Sequence, residues 1–362
     1  MTVIGVAGCT ALIVAAFGLL NSFEPMTHDQ FETIYKYDAV VVPKDGGSAD
    51  NLSFLTDTLD KNSNVKHSML VSQQECTVTH GSKVKDSDTN LVVPQNPEKF
   101  DEIVSLHTRK GKEELRLSDS GVMLSEKMCS ELGIKTGDKI TLNVDGKKAE
   151  VKVSGIFEQY LYNFVYMTPD VYNSLFGSDC TYNMADVALK DTSDSACDEF
   201  GSQVLSDDKI AAVSYIASSL NEFRNMLNSL DMVVTVMIIC AAALAFVVLY
   251  NLTNINITER LREIATIKVL GFFKNETSAY VFRENRVLTT FGIAVGLVLG
   301  VFLHAFVIGQ IKVDMVAFDT YIAPMSYVYS IVLTFVFNFL VNRVMSVKLD
   351  KINMAESLKS VE

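Results

Sequence analysis

Nowhere in the 362 residues does Gly-x-x-x-x-Gly-Lys-(Ser/Thr) occur, so the chain has no phosphate-cradling loop of the kind P-loop ATPases use. It cannot be its own ATP-driven motor. Gly-x-Ser-x-Gly is absent as well, which removes the usual setting of a serine nucleophile. Histidines number only five, and His28, His67, His80 and His107 have no spacing that puts two on one helical face beside a carboxylate, as a zinc site needs. They are expected at the surface. Neither a catalytic residue, a metal nor another cofactor is expected in this chain.

Charge is missing from four long stretches. Residues 2–20, 232–252, 287–308 and 322–341 contain no Asp, Glu, Lys or Arg, and about 20 apolar residues in a helix cross a ~30 Å hydrocarbon core. A buried core helix would be shorter and would carry a polar stripe. Composition agrees, with 49% hydrophobic residues and a mean hydropathy of +0.23. No ionisable residue lies in the middle of a run; His304, near the end of the third, is expected at the membrane interface. Secondary transporters and proton pumps need such groups, so a substrate path through the four helices is not expected.

What charge there is divides by segment. The net of −12 comes from residues 21–229, where 20 Lys and Arg face 33 Asp and Glu. Residues 254–286 reverse the sign: Arg260, Arg262, Lys268, Lys274, Arg283 and Arg286 outnumber Glu259, Glu263, Glu276 and Glu284. Basic residues near helix ends stay on the cytoplasmic side. This places residues 1–20, 230–253, 287–308 and 322–342 in the membrane. Residues 254–286 and the tail 343–362 then lie in the cytoplasm, with 21–229 and the short loop 309–321 outside. The fold class is a membrane protein of four transmembrane helices, with an α+β extracytoplasmic domain inserted between the first and second.

The first run starts within a residue of Met1 and has no basic flank, so it is neither a signal peptide's charged start nor a cytoplasmic anchor. A chain cut from a longer one is expected. In the outer segment, residues 37–42, 69–71, 91–93, 186–189 and 210–216 read as strands, and 50–62 and 193–205 as helices. Ser125 is a candidate N-cap for a helix stopped by Gly133, and Thr168-Pro169 opens one that stops at Gly177. Residues 139–144 and 148–154 alternate around Asp145-Gly146, a type I′ hairpin signal. Cys76, Cys129, Cys180 and Cys197 allow three pairings; free thiols are favoured because a domain this large builds its core without staples. Leu220, Phe223, Leu227 and Leu230 recur at helical spacing, so either a continuous helix into the second span or a rigid connector fits.

Between the second and third runs, Ile257, Leu261, Ile264 and Ala265 form one apolar helical face, with Glu259, Arg260, Arg262 and Glu263 off it and Gly271 after Leu270 as a stop. Pattern alone fits a helix resting on lipid headgroups or a docking element, and favours the first slightly. Gly292, Gly296 and Gly300 make a stripe that permits close backbone approach, within the chain or across a dimer.

These residues carry a resemblance. Ile257-Thr258-Glu259-Arg260, Glu263-Ile264, Gly271, Glu284-Asn285 and the glycines at 292, 296 and 300 resemble the FtsX-like permease family, the membrane subunits of MacB-type ABC transporters. The stretches 132–140 and 153–156 look like that family's extracytoplasmic core domain, and 351–358 resembles its closing motif with Met354 where Pro is usual. The resemblance implies a non-enzymatic permease working with a cytoplasmic ABC ATPase and a second permease half, either a homodimer mate or the other half of a longer permease. Ile257, Glu259, Arg260, Arg262, Glu263, Ile264, Leu270 and Gly271 would then couple to the ATPase. The charge division puts both termini of this multi-pass protein in the cytoplasm, composition points to a bacterial plasma membrane, and lipid and an outer peptide or protein are further expected partners. Nucleic acid is not expected. The alternative function is a membrane-anchored receptor or regulator of an outer partner, such as a cell-wall hydrolase, without transport.

Overall fold

The computed structural model describes residues 2–22, 24–86, 88–310, 316–318 and 320–350. Side chains at 24–25, 226–231, 233, 268, 274–275, 278–279, 281 and 348–350 lie outside that description. So does the closing motif at 351–358, as do Lys312 and the spacing role of Leu227 and Leu230. The chain forms two compact units, Pro25–Met226 with Val313–Phe318, and Met1–Glu24 with Leu227–Lys312 and Asp319–Glu362.

The first unit is built on one mixed sheet. In chain order its strands are β1 (Ala39–Pro43), β2 (Val65–Glu75), β3 (Thr77–His80), β4 (Lys83–Lys85), β5 (Thr89–Pro94), β6 (Val122–Ser125), β7 (Lys139–Val144), β8 (Lys147–Phe157), β9 (Asn163–Tyr166), β10 (Met184–Leu189) and β11 (Ile210–Tyr215). They lie in the order β11-β1-β10-β2-β5-β9-β6-β8-β7-β3-β4. The β5–β9 and β6–β8 pairs are parallel and the rest antiparallel. The Asp145-Gly146 turn has φ of 49° and 82°, the left-handed pair that lets β7 and β8 meet through two residues.

Three helices, α1 (Thr2–Asn21), α2 (Glu24–His28) and α3 (Ala49–Lys61), are followed by α4 (Glu126–Leu132), α5 (Pro169–Phe176) and α6 (Asp194–Val204). The sheet carries two cores. Leu55 and Leu59 of α3 and Phe200 and Val204 of α6 pack on Val41 and Val187. Met128 and Leu132 of α4 and Val171 of α5 pack on Leu91, Leu124, Leu142 and Val153. Thr168 caps α5 by accepting from Val171 N at 3.3 Å. Ser125 holds the N-cap place of α4 without capping it; its hydroxyl accepts instead from Phe164 N at 3.4 Å, across the β6–β9 edge. The central strands β6 and β9 are buried on both faces. They are short apolar runs with no alternation, and the sequence reading passed over them.

In the second unit, α1 packs with α7 (Ile216–Glu259), α9 (Lys274–Gln310) and α10 (Pro324–Asp350), and α8 (Leu261–Val269) links α7 to α9. Among the described residues, four helices are long and apolar enough to cross a membrane. α7 is one continuous helix of 44 residues.

Candidate functional site

The link between α7 and α9 gathers the residues singled out by pattern. Ile257 lies in the last turn of α7, not at the start of a separate helix, and the axis breaks at Arg260 before α8 begins. Ile257 and Ile264 are buried with Val6, Leu249, Ile293, Val341 and Met345, and Ala265 is also buried. The apolar face therefore packs on the other helices of its own unit; a helix resting on headgroups would leave it to lipid. Glu259, Arg262 and Glu263 are exposed around it.

Two nitrogens of Arg260 bind the two carboxylate oxygens of Glu284, Nη2 to Oε1 at 2.7 Å. This bidentate pair ties the end of α7 to the first turns of α9. Gly271 has φ of 92°, a left-handed conformation that ends α8 as expected. Glu276 then caps α9 by accepting from Phe273 N at 2.9 Å. The turn between these two stops holds Val269, Leu270, Phe272 and Phe273 out from the protein, with Leu270 72% and Phe273 77% exposed. Phe272 and Phe273 escaped the sequence reading. Their signal was visible as two aromatics directly after a helix-ending glycine.

The glycine stripe of α9 faces α1. A Cβ on Gly292 would lie 2.6 Å from Val6 Cβ, one on Gly296 2.6 Å from Thr10 Cβ and 2.7 Å from Ala7 O, and one on Gly300 2.6 Å from Val14 Cβ. The close approach is within this chain. His304, expected at the membrane interface, is buried beside Gly18, with Nε2 3.0 Å from the Ser22 hydroxyl. Down α10 runs a row of polar residues at every fourth position: Ser326, Ser330, Thr334, Asn338 and Asn342. Asn338 Nδ2 donates to Thr289 and Asn342 Nδ2 to Asn338 Oδ1 at 2.7 Å, while Asn285 Nδ2 donates to Asn342 Oδ1 at 3.1 Å and reaches Thr253 at 3.4 Å. Such bonds hold helices together where packing on lipid cannot.

The sheet unit holds no metal cluster among the described residues. His67 pairs with Glu102 at 3.1 Å and stays near the surface. His107 does not; it is buried, 3.0 Å from the buried Glu158. Lys112 Nζ donates to Glu158 at 2.6 Å and the Tyr160 hydroxyl to its other oxygen at 2.6 Å. Burial pushes the Glu158 carboxyl up, but the bonds from Lys112 and Tyr160 and the charges of Lys112 and Arg109 hold it below the usual carboxylate range. Asp186 of β10 has no such partner among the described residues, and burial pushes it up to about 7. Cys76 and Cys129 are free thiols in the larger core, and burial pushes both to about 12, which leaves them unreactive. A cleft of about 810 Å³, with Phe100, Val104 and Leu106 in its floor and Arg116, Asp119 and Asp170 at its rim, opens on this unit.

Among the described residues, a sheet-rich unit follows the first of four long apolar helices, and a short helical link joins the second to the third. Residues 1–197 match the MacB-like periplasmic core domain, and residues 235–353 match the FtsX-like permease C-terminal region. The chain belongs to this family, as a multi-pass membrane protein with an extracytoplasmic domain. An uncharacterized ABC transporter permease of Methanocaldococcus jannaschii is 27% identical over 180 residues, 47% of this chain and 44% of that one. The aligned stretch thus spans less than half of that relative. The periplasmic region of MacB from Actinobacillus actinomycetemcomitans overlays with a TM-score of 0.35 at 13% identity, over 53% of this chain and 94% of that one. The extracellular domain of the ABC-type transporter YknZ from Gram-positive bacteria gives 0.31 at 13%, over 49% and 98%.

Proposed function

We propose that this chain couples ATP hydrolysis in a separate cytoplasmic ATPase to movement of its own outer domain, for export, extraction or transmission of force. In this reading residues 1–20, 230–253, 287–308 and 322–342 span the plasma membrane of a bacterium and both termini are cytoplasmic. The basic excess over residues 254–286 supports that orientation. A second permease half completes the assembly, and the outer cleft offers a peptide or protein partner a place to bind.

The observation that carries the reading is the exposed tip formed by Val269, Leu270, Phe272 and Phe273. The link that carries it is anchored in its own unit: Ile257 and Ile264 are buried there, and Arg260 is paired with Glu284. Burying one Leu or Phe contributes roughly 1.5–3 kcal/mol, so docking the tip in a groove of the ATPase supplies several kcal/mol. Glu259, Arg262 and Glu263, exposed at the end of α7 and the start of α8, offer charged contacts that set the register. An ATPase that holds the tip differently when closed on ATP biases a two-state arrangement of the helices. The handle therefore needs no chemistry of its own.

Replacing Leu270→Ser together with Phe273→Ser tests this. The variant should enter the membrane normally and recover at least tenfold less ATPase on purification, a loss of ~1.4 kcal/mol or more. Undiminished recovery of the ATPase contradicts the reading.

A further inference from the structure

Two stretches, one after α2 and one from the connection between α9 and α10, are fastened to the same short piece of the sheet unit. The first follows α2, where a π-helical turn (Asp29–Ile34) carries the fully buried Gln30. Gln30 Oε1 accepts from Tyr160 N at 2.9 Å and from Leu161 N at 3.3 Å, and Asp29 Oδ2 accepts from the Tyr160 hydroxyl at 3.2 Å. The second comes from the connection between α9 and α10. Ala317 N donates to Tyr160 O at 2.7 Å, Val316 and Leu161 form an antiparallel bridge, and Lys127 Nζ donates to Val316 O at 2.9 Å. The Tyr160 peptide is thus gripped at its N–H by one stretch and at its carbonyl by the other.

The piece that receives them is itself locked. Glu158 N donates to His107 O at 2.9 Å, while the Glu158 carboxylate is held by Lys112 and the Tyr160 hydroxyl. The Arg109 guanidinium lies 4.6 Å over the Tyr160 ring, and Gln159 Nε2 donates to Leu161 O at 2.8 Å. Tyr162, the next residue, sits at φ 58°, in the left-handed region that side chains with a Cβ avoid. Strain of this sort persists only where the surroundings over-determine it, and it gathers at switch regions. A passive covering loop would be exposed and polar. Val316 and Ala317 are buried instead.

We infer that residues 158–161 are the fastening point through which displacement of the helix ends reaches the outer domain, with Gln30, Tyr160 and Ala317 as positioning residues. Releasing Gln30 from Tyr160 N and Leu161 N strands two donors, so motion at either stretch is passed on to the sheet and not absorbed locally. The inference rests on the proposed coupling to an ATPase.

Its test uses the full chain in lipid nanodiscs, with its ATPase, and reads hydrogen–deuterium exchange before and after trapping with ATP and vanadate. Gln30→Met keeps the shape and removes the acceptor; Gln30→Glu restores an acceptor oxygen. Gln30→Met should speed exchange at Tyr160, Leu161 and Ala317 at least tenfold and abolish the ATP-dependent change in β8 and β9, with ATP turnover retained; Gln30→Glu should restore that change. Lys127→Met, which removes the bond to Val316 O on the α9–α10 side, should weaken the same change where Gln30→Met does not fold. An ATP-dependent change that survives in both Met variants overturns the fastening and leaves the proposed function standing. A wild-type chain that shows no ATP-dependent change overturns both.

Discussion

Arg260 and Glu284 bind each other through both arms of the guanidinium and both carboxylate oxygens, joining the break between α7 and α8 to α9. Both side chains are about two-fifths exposed. A pair so exposed contributes less than ~1 kcal/mol to stability. Its value lies in direction, because a fork-to-fork contact fixes one angle between the elements it joins.

Arg260→Glu and Glu284→Arg should therefore each cut ATP-driven activity severalfold while leaving expression and unfolding almost unchanged, and the double swap should recover most of the loss. Steady-state ATP turnover of the complex, with transport or outer-partner release measured alongside, checks this. Additive losses in the double variant would remove the pairing from the mechanism.

Gly296→Val should separate α9 from α1. The new Cβ would meet Ala7 O at 2.7 Å, a backbone atom that cannot swing away, so the unit should lose roughly 2 kcal/mol or more of resistance to detergent unfolding. Gly8→Ala in α1 is the control, since a Cβ there meets nothing within 4 Å and should cost almost nothing.

Asp186 gives the sheet unit a pH dependence. Its folded value, about 7, lies above the ordinary 3.8, so ionisation opposes folding. Stability from this group is greatest below the ordinary value, falls as pH rises from about 4 to 7, and then levels, a total of roughly 4 kcal/mol at ~1.4 kcal/mol per pH unit. Asp186→Asn should slow amide exchange in β10 and β1 at pH 8 and change it little at pH 4. A difference that is the same at both pH values would contradict the burial account.

Much of this was legible in the residues because the signals were local. Uncharged runs gave the four long helices, Asp145-Gly146 gave the β7–β8 turn, and Thr168-Pro169 gave the start of α5. What escaped depends on partners distant in sequence. β6 and β9 are four-residue strands whose burial comes from neighbours on both sides. His107 is buried by Glu158, 51 residues on. The glycine stripe announced a close contact, but only Val6, Thr10 and Val14 identify α1 as its partner. At the α7–α9 link, period alone marked Ile257 and Ile264 as an apolar face. Whether that face met lipid or protein depended on Leu249, Ile293 and Val341, which no local pattern connects to it.

The most direct test of the account is a photo-reactive benzophenone side chain placed at Phe273 in intact cells, with one at the exposed Val298 of α9 as the comparison. Illumination at position 273 should give one protein adduct, and mass spectrometry should identify it as a chain bearing Gly-x-x-x-x-Gly-Lys-(Ser/Thr); position 298 should give none. Adducts only to lipid at position 273 would mean that the tip rests on the membrane, and would contradict the claim that it is the handle the ATPase holds.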